Sequence, residues 1–147
     1  MYHRIVASKV RGTFAGLSEQ RPEALLDQLA TPFTYRFVGD TTLGGIRTTR
    51  ADMEAWFARV ARLLPGLRFH PVTVAVHGPP WNTMILTHVE VEADGYHNEF
   101  FQSARLRWGR LTDIVTLEDL DLLRGHLDQL AASGVDEATA PQILSED

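Results

Sequence analysis

"LTHVEVEADGYHNEFF", residues 86–101, reads as an alternating strand, a turn signal and a second strand. How the turn is read decides which side chains the protein buries. On the first strand Thr87, Val89 and Val91 share one face, and His88, Glu90 and Glu92 share the other. If Asp94-Gly95 is a two-residue turn, Ala93 pairs with Tyr96, Glu90 faces Glu99 and His88 faces Phe101. The polar row is then wet, and Val89, Val91, Phe100, Leu106 and Trp108 are inside. If Ala93-Asp94-Gly95 is a three-residue loop, with Gly95 in a left-handed bulge position, Glu90 lies opposite Asn98 and His88 opposite Phe100. One face then holds Met84, Leu86, His88, Glu90, Asn98, Phe100, Gln102, Ala104 and Leu106. That is an apolar surface with a few convergent polar groups, the usual make-up of a ligand pocket. A slip of one residue exchanges the two outcomes. The first register opposes two glutamates, at a cost of roughly 0.2–1 kcal/mol, and this favours the second.

The flanking sequence supplies the rest of the architecture. Val6, Val10, Thr13, Phe14 and Leu17 recur at helical spacing over residues 2–17. Pro22 opens a second short helix with Leu25, Leu26 and Leu29. "FTYRFV", 33–38, predicts a strand with Phe33, Tyr35 and Phe37 on one side. Thr49, with Asp52 three residues on, predicts the capped start of a helix carrying Met53, Trp56, Phe57, Val60, Leu63 and Leu64. Pro65-Gly66 ends it. Strands then follow with short loops, which implies an antiparallel meander. A last helix is expected at about 118–132. Helices, then strands, then a closing helix make an α+β domain over 1–135, with a small polar tail at 136–147 that packs loosely or frays.

Composition narrows the function. The chain has 147 residues and no cysteine, which excludes disulfides and thiolate catalysis. A net charge of −5 gives no electrostatic reason to bind nucleic acid. No apolar run is long enough to span a bilayer and no leader is legible, so a cytoplasmic protein with no membrane partner is expected. There is no HExxH pair, nucleophile elbow or phosphate loop. Neither a metal nor a cofactor is expected. Arg47 and Arg50 read as a solvated turn at a helix start. Trp81 in "GPPWNT" is either exposed in a hairpin loop or folded over the mouth of the domain.

"FTYRFVGDTTLGG", "TTRADMEAWFARV" and "YHNEFFQSARLRWGRLTDIVTLED" resemble the nuclear transport factor 2-like superfamily over about residues 4–130. Its small-molecule branch includes ketosteroid isomerase, limonene epoxide hydrolase and the SnoaL-type polyketide cyclases. The resemblance implies a cone: a strongly curved, mostly antiparallel sheet around a pocket, dimeric through its convex face. The isomerase's base position corresponds to Phe37, which cannot take a proton. In the hydrolase pattern Tyr35 keeps a tyrosine and Phe37 replaces an asparagine. His88 and Glu90 stand for an arginine and an acid, and Thr116 replaces a second acid. The expected site is therefore Glu90, His88 and Tyr35 as catalytic groups, with Phe37, Trp56, Met84, Leu86, Asn98, Phe100, Gln102 and Thr116 around a hydrophobic oxygenated substrate. The expected activity is a cofactor-independent acid–base isomerase or cyclase. The alternative is a non-catalytic ligand-binding or dimerisation module of the same fold.

Overall fold

The computed structural model describes residues 1–146. Helix α1 (Tyr2–Ser18) leads through a single-turn helix α2 (Glu23–Leu26) into strand β1 (Leu29–Phe37) and a short β2 (Gly45–Arg47). Helix α3 (Arg50–Leu63) follows. Then come β3 (Arg68–His77), β4 (Thr83–Ala93), β5 (Tyr96–Arg107) and β6 (Arg110–Glu118), and finally α4 (Leu120–Ala132). The six strands form one sheet in the order β2-β1-β6-β5-β4-β3. Only the β1–β6 pair is parallel. Thr49 caps α3 as its sequence implies, its side chain accepting from the Asp52 N–H at 3.1 Å.

The β4–β5 turn is the two-residue one. Ala93 pairs with Tyr96, Glu90 with Glu99 and His88 with Phe101, while Gly95 takes φ +71°. The three-residue expectation is thus corrected, and with it the inward placement of Met84, Leu86, His88 and Glu90. Magnitudes explain the choice. Val89 and Val91 are 0% and 4% exposed, and burying a valine stabilises by about 1.5–3 kcal/mol. The Glu90–Glu99 opposition is out in water, where it costs at most about 1 kcal/mol.

A bulge in β3 between Pro71 and Thr73 adds one residue against β4 and bends this edge of the sheet. The concave face is filled from α1 by Val6, Phe14 and Leu17, and from α3 by Met53, Trp56 and Val60. Trp56 packs against Tyr35 and Phe37 and donates its indole N–H to Leu43 O at 2.8 Å.

The C-terminal tail is knit in rather than loose; only its last residue, 147, lies outside the described residues. Glu137, in a short 3-10 turn (Asp136–Thr139), pairs with Arg59 and Arg62. Gln142 donates to Gly39 O and Thr41 O, and Ser145 Oγ accepts from Thr48 N–H and donates to Asp52. Arg47 is correspondingly buried, not solvated: it donates to the carbonyls of Leu43, Gly44, Gly45 and Ile143 and lies against the rings of Tyr35 and Trp56. Among the described residues no helix is long and apolar enough to cross a membrane.

The register makes a direct prediction. Val89→Ala should lower unfolding free energy by about 2–3 kcal/mol in urea titrations, whereas Glu90→Ala should change it by less than about 0.5 kcal/mol. Equal effects would contradict the two-residue turn.

Candidate active site

The inner faces of β5 and β6 carry the polar groups of the interior. Asn98, Phe100 and Gln102 alternate inward on β5, and Thr116 and Glu118 do so on β6. All of these but Asn98 meet Tyr35 from β1 in a narrow chamber of about 60 Å³, walled mainly by Phe14, Phe37, Trp56, Phe69 and Phe100. Of the residues expected at the site, Tyr35, Phe37, Trp56, Phe100, Gln102 and Thr116 line this chamber. Asn98 is buried just behind it. Met84, Leu86, His88 and Glu90 are on the outer face of the sheet. There the His88 ring stacks on Phe101 at 4.6 Å, with Nε2 3.5 Å from Glu99 Oε1.

The interior carboxyl is therefore Glu118, not Glu90. Its side chain is 8% exposed and lines the chamber. Tyr96 Oη donates to Glu118 Oε1 at 3.0 Å. Asn98 Nδ2 in turn donates to Tyr96 Oη at 2.6 Å and to Asp119 O at 3.0 Å, and Asn98 Oδ1 accepts from the Glu99 N–H. This chain fixes the carboxyl's position while leaving one edge toward the chamber. Burial pushes the Glu118 carboxyl up to about 7, against the lowering effect of the Tyr96 hydrogen bond, and the neighbouring Asp119 adds to the rise. Burial likewise pushes the Tyr35 phenol up to about 12, so it stays protonated and can donate.

Nearby, Gln102 Nε2 donates to Thr116 Oγ1 at 2.9 Å, and Tyr35 Oη lies 3.4 Å from the same oxygen. The long second contact leaves the phenol available to another acceptor. Glu118 and Tyr96 were not among the expected site residues, Glu118 falling at the expected start of the last helix. The signal was present: Glu118 continues the parity of Ile114 and Thr116, and Tyr96 that of Asn98.

Three further spaces adjoin the chamber, one of them an open cleft of about 500 Å³ that shares Val91 and Glu118 with it. A second, of about 60 Å³, runs toward Val6, Lys9 and Leu106 and shares Phe14, Leu17, Leu25 and Gln102 with the chamber. The third is a groove of about 260 Å³ between the α1–α2 turn and α3, reaching the surface at Gln20, Glu54 and Ala61. It shares Leu17, Phe57, Val60, Leu64, Leu67 and Phe69 with the chamber. Among the described residues no group of three histidine or carboxylate side chains is placed to hold a metal ion.

A curved sheet closed by helices over a greasy chamber with a few inward polar groups defines the nuclear transport factor 2-like class. Within it, residues 10–119 match the SnoaL-like domain, and the chain belongs to that family. Solved structures agree on the fold. PrhC from Penicillium brasilianum superposes with a TM-score of 0.76 at 12% identity, covering 94% of this chain and 96% of that one. TerC, crystallised with polyporic acid, gives 0.66 at 18% identity, covering 82% and 96%. A ketosteroid isomerase-like protein from Catenulispora acidiphila, in complex with trimethylamine, gives 0.58 at 18% identity, covering 90% and 97%. No curated protein matches the chain.

Glu118 ties stability to pH. Its folded pKa is raised above the usual carboxylate value, so folding is least opposed below about pH 4.5 and stability is lost as pH rises through about 7. Glu118→Gln should therefore raise stability at pH 8 by about 3 kcal/mol and leave it near wild type at pH 4.5, as read from urea midpoints. A variant equally shifted at both pH values would mean that Glu118 does not titrate as a buried acid.

Proposed function

We propose that this protein binds a hydrophobic, oxygenated small molecule inside the cone and moves a proton on it, as an isomerase or cyclase without a cofactor. The observation that carries this reading is a carboxyl poised near neutrality in an apolar chamber, next to a protonated phenol. A general acid–base is most effective when its pKa lies near the working pH, because both forms are then populated. In the proposed reaction the Glu118 carboxylate takes a proton from a carbon beside a carbonyl. Tyr35 and Gln102 donate to the carbonyl oxygen as it becomes an enolate, and Glu118 returns the proton at a second carbon. Tyr96 and Asn98 hold the carboxyl in place. That TerC was co-crystallised with polyporic acid, and that another protein of this fold is in complex with trimethylamine, supports a small-molecule ligand for this fold.

Ligand pockets usually measure about 300–1,000 Å³, and the chamber is well below that. Binding then requires Phe57, Leu64 and Phe69 to shift so that the chamber joins the outer groove. The same narrowness favours a second reading, a non-catalytic module of this fold.

The test uses β-tetralone, an enolisable hydrophobic ketone, and follows exchange of its α-hydrogens in heavy water by NMR. Wild-type protein should accelerate exchange, with a rate that rises with pH through about 7. Glu118→Gln should lose about 10²–10⁴-fold, while Glu90→Gln and His88→Ala remain at the wild-type rate. Exchange that is unaffected by Glu118→Gln would reject the acid–base reading. Bound ketone with no acceleration would favour the non-catalytic one.

A homodimer through the outer face of the sheet is part of the same reading. Leu86, Phe101 and Leu117 sit exposed on three neighbouring strands there, with Phe101 opposite both His88 and Leu117. An exposed apolar patch of this kind marks an association surface. Sedimentation at micromolar concentration should give a dimer that Phe101→Asp converts to monomer. A monomeric wild type would remove this part of the proposal.

A further inference from the structure

Three segments distant in sequence meet at one end of the molecule: the start of α1, the loop between β3 and β4, and the turn between β5 and β6. Tyr2 Oη and Thr83 Oγ1 are 2.6 Å apart, and His3 Nε2 is 2.8 Å from Gly78 O. Trp108 N–H donates to Pro80 O at 2.8 Å. Residues 1–9, 77–85 and 103–112 contain Arg4, Lys9, Arg105, Arg107 and Arg110 and not a single acidic residue, in a chain of net charge −5. Among the described residues none of these five cations forms an ion pair. Arg107 pairs directly with Arg110 across the turn, and Asp113 is the nearest carboxylate on β6, opposite Arg105. Like charges set face to face concentrate positive potential at this tip.

The same tip displays two tryptophans. Trp81 and Trp108 are 58% and 71% exposed, with ring centroids 5.9 Å apart, and Met1 and Ile5 of α1 are exposed as well. Trp108 has φ +48° and Gly109 φ +80°, a two-residue hairpin turn whose first position suits asparagine or glycine. A tryptophan there is strained and gains little by burial. When a residue breaks a local rule and packing does not compensate, a role outside the fold is indicated.

We propose that this end of the protein docks on an anionic phospholipid surface. Tryptophan rings seat at the headgroup level of a bilayer, and each nearby arginine or lysine is drawn to acidic headgroups. The aliphatic Met1 and Ile5 argue for a bilayer over single-stranded nucleic acid: they give a base nothing to stack on but enter the acyl boundary readily. This sets aside the sequence-based expectation of no membrane partner, since docking of this kind needs no spanning helix. The space lined by Val6, Lys9 and Leu106 lies beneath the same end, so a hydrophobic ligand would have a short path from bilayer to interior. The docking itself does not depend on that ligand.

The test is flotation with phosphatidylcholine vesicles, with and without about 30% phosphatidylserine, and quenching of tryptophan fluorescence by brominated acyl chains. Binding should occur only to the anionic vesicles and weaken about tenfold or more at about 0.5 M salt. Trp108→Asn should keep or raise the Tm and weaken binding about tenfold. Trp81→Ser/Trp108→Asn should abolish quenching, because Trp56 is buried. Four results would each overturn the proposal: no binding to anionic vesicles, binding unchanged in the double variant, a lower Tm for Trp108→Asn, or tighter binding of a single-stranded oligonucleotide that displaces the vesicles.

Discussion

Val89 and Val91 have to leave water, and the rest of the sheet is arranged around that. Each β4 side chain has its face fixed once these two are buried, because alternation admits no compromise. The short Asp94-Gly95 turn transmits the choice to β5, where Tyr96, Asn98, Phe100 and Gln102 then face the same interior. From β5 the pairing carries it to β6, bringing Thr116 beside Gln102 and Glu118 beside Phe100. The candidate site is a consequence of hydrophobic burial two strands away.

The interior nevertheless holds two ionisable groups, and the fold treats them differently. Burial lowers the Arg47 pKa to about 10, yet the group stays charged at neutral pH, because four backbone carbonyls and two aromatic faces replace most of its water while its Nε is left unpartnered. One of those carbonyls belongs to Ile143, so the C-terminal tail completes the cation's surroundings. Glu118 has no cation beside it. It receives a hydrogen bond from Tyr96 and has the Asp119 carboxylate nearby, so burial and that like charge raise its pKa. A carboxyl left between its two protonation states is the kind of group that acid–base chemistry uses.

Parts of this were legible in the residues. The stripe Met53, Trp56, Val60, Leu63 and the cap at Thr49 define α3, because both are local: helical periodicity and one side-chain-to-backbone bond. The meander follows from short polar turns between alternating runs. Tyr35, Gln102 and Thr116 line the chamber, each in phase with an apolar row on its own strand. His88 and Glu90 face outward, against the sequence-based expectation, because the burial of two valines outweighs a small like-charge repulsion. Glu118 was lost at a strand end, where boundaries are least defined by pattern.

The sequence by itself determined the helices, the longer strands and their order, since these rest on periodicity, caps and turns within a few residues of one another; the cone was implied by the family resemblance. Only the tertiary structure decided which carboxyl is inside, that Arg47 is buried, and that the tail closes over it. It also decided that Trp81 and Trp108 stand side by side. Those facts depend on the pairing of residues tens of positions apart, which no local pattern encodes.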